Sequence, residues 1–119
     1  MVEHTFGREL RLLTPSQFSR IFNEPAKAAS PFFTVLAKPN QLSHPRIGIT
    51  VAKKRVKKAV NRNTVKRIVR ESFRLNQHNL PPIDIVIMAK SGIDQQTNAE
   101  LFKQLEKLWR KIAQRTSQE

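Results

Sequence analysis

KKAVNRNTVKRIVRESFR, residues 57–74, reads as a basic amphipathic helix, and its two faces set the terms for the rest of the chain. At about 100° per residue, Val65, Ile68, Val69, Ser72, Phe73 and Leu75 fall on one arc. Asn63, Lys66, Arg67, Arg70 and Arg74 fall on the opposite one. The first arc suits a hydrophobic core and the second suits a polyanion. The helix is expected to start between positions 56 and 61 and to end near 79, ahead of Pro81 and Pro82.

Moving outward towards the C-terminus, residues 84–90 form a strand pattern, with Ile85, Ile87 and Ala89 alternating against Val86 and Met88. Thr97-x-x-Glu100 is a capping box that opens a last helix, and Leu101, Leu105, Leu108 and Ile112 make its core stripe to about residue 114. Trp109 lies beside that stripe and is expected to be partly buried. The tail, 115–119, is expected to fray.

Towards the N-terminus, residues 46–52 place Ile47, Ile49 and Val51 on one side and Gly48, Thr50 and Ala52 on the other. The second side is small and nearly bare, suited to something flat. Before it, 26–40 is rich in β-branched and aromatic residues, with Phe33, Val35 and Ala37 opposite Phe32, Thr34 and Leu36. Residues 27–30 offer a further short edge strand. Turn chemistry at 39–45 predicts that 46–52 pairs antiparallel with the strand preceding it. Thr14 is a natural N-cap, Pro15 fits the first helical position, and Gln17 completes a Thr-x-x-Gln box. Leu13 can staple onto Phe18, Phe18, Ile21 and Phe22 share a stripe, and the helix should stop before Pro25. Residues 1–13 read as a basic lead-in without the apolar stretch of a signal peptide.

The order helix, strands, helix, strand, helix predicts an α+β two-layer sandwich with helices against one sheet of three to four strands. At 119 residues the chain, 1–119, fits a single domain with one core. The passage through 46–90 is long enough for a parallel crossover, for which the general rule gives a right hand.

The formal charge is +13, from 22 basic and nine acidic residues. Between positions 46 and 74 there are 11 basic residues and one acid, so this quarter carries +10 of the total. Lys53, Lys54, Arg55, Lys57 and Lys58 precede the helix, and Arg62, Lys66, Arg67, Arg70 and Arg74 continue the charge along it. Arginine's planar fork grips phosphate at two points and lysine adds a mobile charge, so nucleic acid is the expected partner. A short turn and partner helix for major-groove docking are missing, which favours structured RNA, read through backbone and shape. No apolar run reaches the roughly 20 residues of a membrane span, so no membrane partner is expected. The charge predicts a monomer when free.

Catalytic groupings are thin. His4, His44 and His78 are not placed as an acid–base pair, and Asp84 and Asp94 sit at opposite ends of one strand, so a protein-borne nuclease site is not expected. Cysteine is absent, removing thiolate metal sites and fitting a reducing cytoplasm. Phe18 and Phe22 either stack on unpaired bases or anchor the first helix to the sheet.

The run RNTVKRIVRESFR, 62–74, resembles the protein subunit of bacterial ribonuclease P, whose hallmark is an Arg-Asn-Arg helix followed by Lys-Arg and further arginines. The resemblance covers nearly the whole chain: Leu12, Phe18 and Phe22 in the first helix, the strand running into Lys53 and Lys54, the basic helix, an Ile/Val strand and a final amphipathic helix. It departs at Thr64, where the third motif residue is usually arginine.

The resemblance implies a mixed sheet like that of domain 2 of ribosomal protein S5, with a rare left-handed crossover, overruling the default hand. It implies a protein that assists a catalytic RNA, which holds most of the bound Mg²⁺ and carries the cleavage chemistry, in removing the 5′ leader of precursor tRNA; no catalytic or metal-ligating residue is assigned in the protein. Lys53, Lys54, Arg62, Asn63, Lys66, Arg67, Arg70 and Arg74 would lie against the catalytic RNA, and Phe18 and Phe22 would line a cleft for the single-stranded leader. The rival reading is a ribosomal or general structured-RNA scaffold protein. Recovery of ribosomal RNA, rather than one dominant non-coding RNA, would distinguish it.

Overall fold

A computed structural model describes residues 15–117. The first helix, α1 (Pro15–Ile21), opens on a proline at the position where no N–H is needed. The expected Thr14 cap and Leu13 staple lie outside the described residues. At its end the N–H groups of Phe22 and Asn23 donate to the carbonyls of Ser19 and Arg20, tightening the last turn. Glu24 then adopts φ 53°, the left-handed conformation that stops a helix, and Pro25 follows.

Strands β1 (Ala26–Ala29) and β2 (Phe33–Pro39) form an antiparallel hairpin, confirming the short edge strand. After them come β3 (Arg46–Thr50), α2 (Ala59–Asn76), a 3-10 turn over Gln77–Asn79, β4 (Ile83–Ala89) and α3 (Asn98–Ser117). The helix expected to reach residue 79 is therefore α-helical only to Asn76. Glu100 N–H donates to Thr97 Oγ1 at 3.1 Å, so the predicted cap of α3 is in place.

The sheet order is β1-β2-β4-β3. This corrects the expected antiparallel pairing of 46–52 with the preceding strand. β4 lies between β2, antiparallel to it, and β3, which runs parallel to it with Arg46 opposite Asp84 and Ile49 opposite Ile87. The reason is burial. Six of the seven β4 residues are buried, so it belongs in the middle, whereas β3 carries Arg46 and the exposed Thr50 and tolerates an edge.

One face of the sheet holds Phe33, Val35 and Ala37 of β2, Ile47 of β3, and Ile83, Ile85, Ile87 and Ala89 of β4. Val65, Ile68, Val69 and Phe73 of α2 and Leu101, Leu105, Leu108 and Ile112 of α3 cover it, matching the predicted stripes. Leu75, expected on the core arc, is 52% exposed: it sits in the last turn of α2, past the final core contact at Phe73. Trp109 is fully part of the core rather than partly buried, with its ring edge against Phe73 at a centroid distance of 5.9 Å. On the opposite face Ile21 of α1 packs with Leu36 and Val86, and Phe18 and Met88 lie against them.

Candidate nucleic-acid interface

The cationic surface begins where β3 ends. Lys53, Lys54, Arg55, Lys57 and Lys58 are all exposed on the loop leading into α2. Val56 alone points inward, fully buried, and pins that loop to the core. The first turn of α2 has no acidic residue, and Lys58 at its N-cap makes no side-chain capping bond. The positive end of the helix dipole thus adds to the lysines rather than being neutralised by the chain.

Along α2 the predicted contact residues separate into two groups. Asn63, Arg67 and Arg70 are exposed and Lys66 is half-buried. Arg62 is different: its Nη1 donates to the carbonyls of Val56 and Lys57 at 3.0 and 2.8 Å. It braces the lysine loop against the helix, leaving Nε and Nη2 as its remaining donor nitrogens. Arg74 pairs with Glu71 one turn earlier, its Nε donating to Glu71 Oε2 at 3.2 Å. That hydrogen bond draws the Glu71 carboxyl below its usual range, more than its burial raises it, with the charge of Arg74 adding to the effect. Thr64, where an arginine is expected, turns its hydroxyl back to the Val60 carbonyl at 2.9 Å and stays on its own helix.

The two aromatic candidates also differ. Phe18 is half-buried against the Ile21, Leu36 and Val86 cluster, whereas Phe22, one residue past α1, is 54% exposed. Phe18 lies over the sheet face that carries Met88, with Thr34 and Thr50 opposite Met88 on the neighbouring strands.

Sequence reading missed the most connected polar group on that face. Asp84 is buried in β4. Its Oδ1 accepts from Arg46 Nε at 2.8 Å and Asn40 Nδ2 at 2.9 Å, and its Oδ2 from Arg46 Nη2 at 2.7 Å and Arg20 Nη2 at 2.6 Å. Burial alone would raise its pKa, but the hydrogen bonds from Arg46, Asn40 and Arg20, with the Arg46 charge, hold it below the usual carboxylate range. The same bond raises the Arg46 guanidinium against the smaller effect of burial. An aspartate within an isoleucine-rich strand was the available signal. Its partners needed the parallel register to be known.

The family model described as Ribonuclease P matches residues 6–113. The chain belongs to the ribonuclease P protein family. It is 70% identical over 115 residues to the ribonuclease P protein component of Pseudoalteromonas translucida (strain TAC 125), covering 97% of this chain and 82% of that one. Among solved structures, the Staphylococcus aureus RNase P protein is similar with a TM-score of 0.81 and 30% identity, over 90% of this chain and 97% of that one. The Thermotoga maritima RNase P protein gives a TM-score of 0.77 and 32% identity, over 86% and 96%.

Ribonuclease P is the endoribonuclease that matures tRNA 5′ ends, with catalysis by its RNA, and its protein component partners that RNA and precursor tRNA. The ribonucleoprotein is metal-dependent. Among the described residues no three His, Cys, Asp or Glu side chains cluster, and both Asp84 oxygens accept from nitrogen donors. No helix among the described residues is long and apolar enough to cross a membrane.

Proposed function

We propose that the chain, acting as one RNA-binding domain over 1–119 and monomeric when free, docks on the ribonuclease P RNA through the surface running from Lys53 and Lys54 along Asn63, Lys66, Arg67 and Arg70. Arg62 supports it from beneath and Arg74 closes it at the far end. Phe18 and Phe22 receive the unpaired 5′ leader of precursor tRNA, Phe22 with its exposed ring and Phe18 as the base of that wall. The observation that carries the reading is the row of cations from exposed Lys53 and Lys54 through half-buried Lys66 to exposed Arg67 and Arg70, with no acid in the first turn of α2.

A ribozyme that cuts an anionic substrate works against repulsion between two polyanions, and a cationic body between them lowers that cost. Mg²⁺ is assigned to the RNA subunit, where the cleavage chemistry resides, and the assembly to the cytoplasm. Precursor-tRNA turnover measured across Mg²⁺ concentrations, with and without the protein, should show a lower Mg²⁺ requirement when the protein is present. Superimposable curves would reject the proposal.

A further inference from the structure

The RNA-facing surface and the aromatic wall lie on different elements, yet both are referenced to one buried carboxylate. Asp84 has no exposed side-chain surface, while its partners Arg46 and Arg20 are 18% and 44% exposed. On one side Arg46 holds it with two nitrogens from β3, the strand whose chain continues into Lys53 and Lys54. On the other side Arg20 reaches it from α1, two residues before Phe22. Arg20 also donates Nη1 to the Pro39 carbonyl at 3.0 Å, so its guanidinium is fixed at two points. Asn40 completes the cluster, donating to the His44 carbonyl at 3.1 Å and so fastening the β2–β3 turn.

The helix on the Arg20 side has little stability of its own. α1 is seven residues long, its only fully buried residue is Ile21, and a helix of two turns does not hold itself in water. Where it lies over the sheet is set by its anchors: the packing of Ile21 and Phe18 on Leu36, Val86 and Met88, and the Arg20 fork on Asp84. Packing fixes the height of the helix above the sheet. The fork is directional and fixes its position along β4.

We propose that Asp84 and Arg20 are positioning residues for substrate, setting the distance between the phenylalanine wall and the edge strand β3 so that the gap fits an unpaired strand. Neither residue touches the reacting phosphate. This rests on the leader-binding reading of Phe18 and Phe22.

The test uses the assembled ribonucleoprotein and compares binding of precursor tRNA with that of mature tRNA, over a salt series, for the unaltered protein, Arg20→Met and Phe22→Ala. Arg20→Met leaves Asp84 with Arg46 and Asn40, which keeps the buried charge compensated. The expected result is a loss of about 3- to 10-fold in precursor affinity, no change for mature tRNA, and an unchanged salt slope. A slope lowered by about one phosphate would make Arg20 a direct contact and overturn the positioning role. Unaltered affinity, or equal losses for both tRNAs, would overturn it too. If Phe22→Ala lowers precursor affinity while Arg20→Met does not, the clamp alone fails. If neither variant discriminates the two tRNAs, the leader reading falls and the clamp with it.

Discussion

The indole nitrogen of Trp109 donates to Ser72 Oγ at 2.9 Å, joining α3 to α2 by a hydrogen bond inside the core. Both residues are almost wholly buried, at 2% and 1% exposure, so neither group has water as a substitute. Ser72→Ala should leave the indole N–H unsatisfied and destabilise the fold by about 1–3 kcal/mol. Adding Trp109→Phe should then cost less than it does in the unaltered protein. Urea unfolding of the two single variants and the double variant measures that coupling, and strictly additive losses would argue against the bond.

Asp84 links stability to pH. Its folded pKa lies below its unfolded one, so its contribution is fully present above the unfolded value near pH ~4 and is lost as pH falls through the folded value. Thermal unfolding followed from neutral pH to pH ~2 should show a decline that is shallower in Asp84→Asn, although that variant starts from a lower melting temperature.

The arginines of α2 should not behave alike in RNA binding. Arg67→Ala and Arg70→Ala are each expected to weaken binding to the RNA subunit and lower the salt slope by roughly one phosphate. Arg74→Ala, already paired with Glu71, should change the slope less. Affinity measured from low to high salt for the three variants checks the ranking.

Arg62→Ala removes the brace under the lysine loop as well as a positive charge. Its expected signature is faster amide exchange at positions 53–58 in the free protein, which Arg67→Ala should leave unchanged.

Gly92 adopts φ 90°, and a Cβ there would stand 3.3 Å from Phe32 Cε1. Gly92→Ala therefore forces a left-handed conformation on alanine and crowds a ring. A loss on the order of 1 kcal/mol or more is expected in denaturant unfolding.

The helices and the faces of the strands were legible in the sequence because they follow from local periodicity. Ile83, Ile85, Ile87 and Ala89 alternate with Asp84, Val86 and Met88 whatever strand lies beside them. The pairing was not legible, because turn residues at 39–45 fit a hairpin as well as they fit a link between strands separated by β4. That error hid the Asp84 cluster, since Arg46 meets Asp84 only in the parallel register. The cationic face was readable as a density of charge. That Arg62 and Arg74 spend donors on their own chain was not, since a carbonyl partner leaves no mark in the sequence. Leu75 shows the same limit from the apolar side: periodicity gives the angle of a residue, not the point along the helix where the core ends.

The position of β4 bears on how the molecule is made. Among the described residues β4 is the last strand to leave the ribosome, is central to the sheet, and is the only partner of β3, so β3 stays unpaired until residues 83–89 have cleared the exit tunnel. By then the whole of α2, with its cations, has already emerged without the surface that buries its apolar side. Folding therefore closes late, on long-range pairing, and is expected to be slow for a chain of this size. A nascent chain in this interval is a strongly basic segment beside ribosomal RNA, and completion of β4 is the step that withdraws its hydrophobic face from competing contacts.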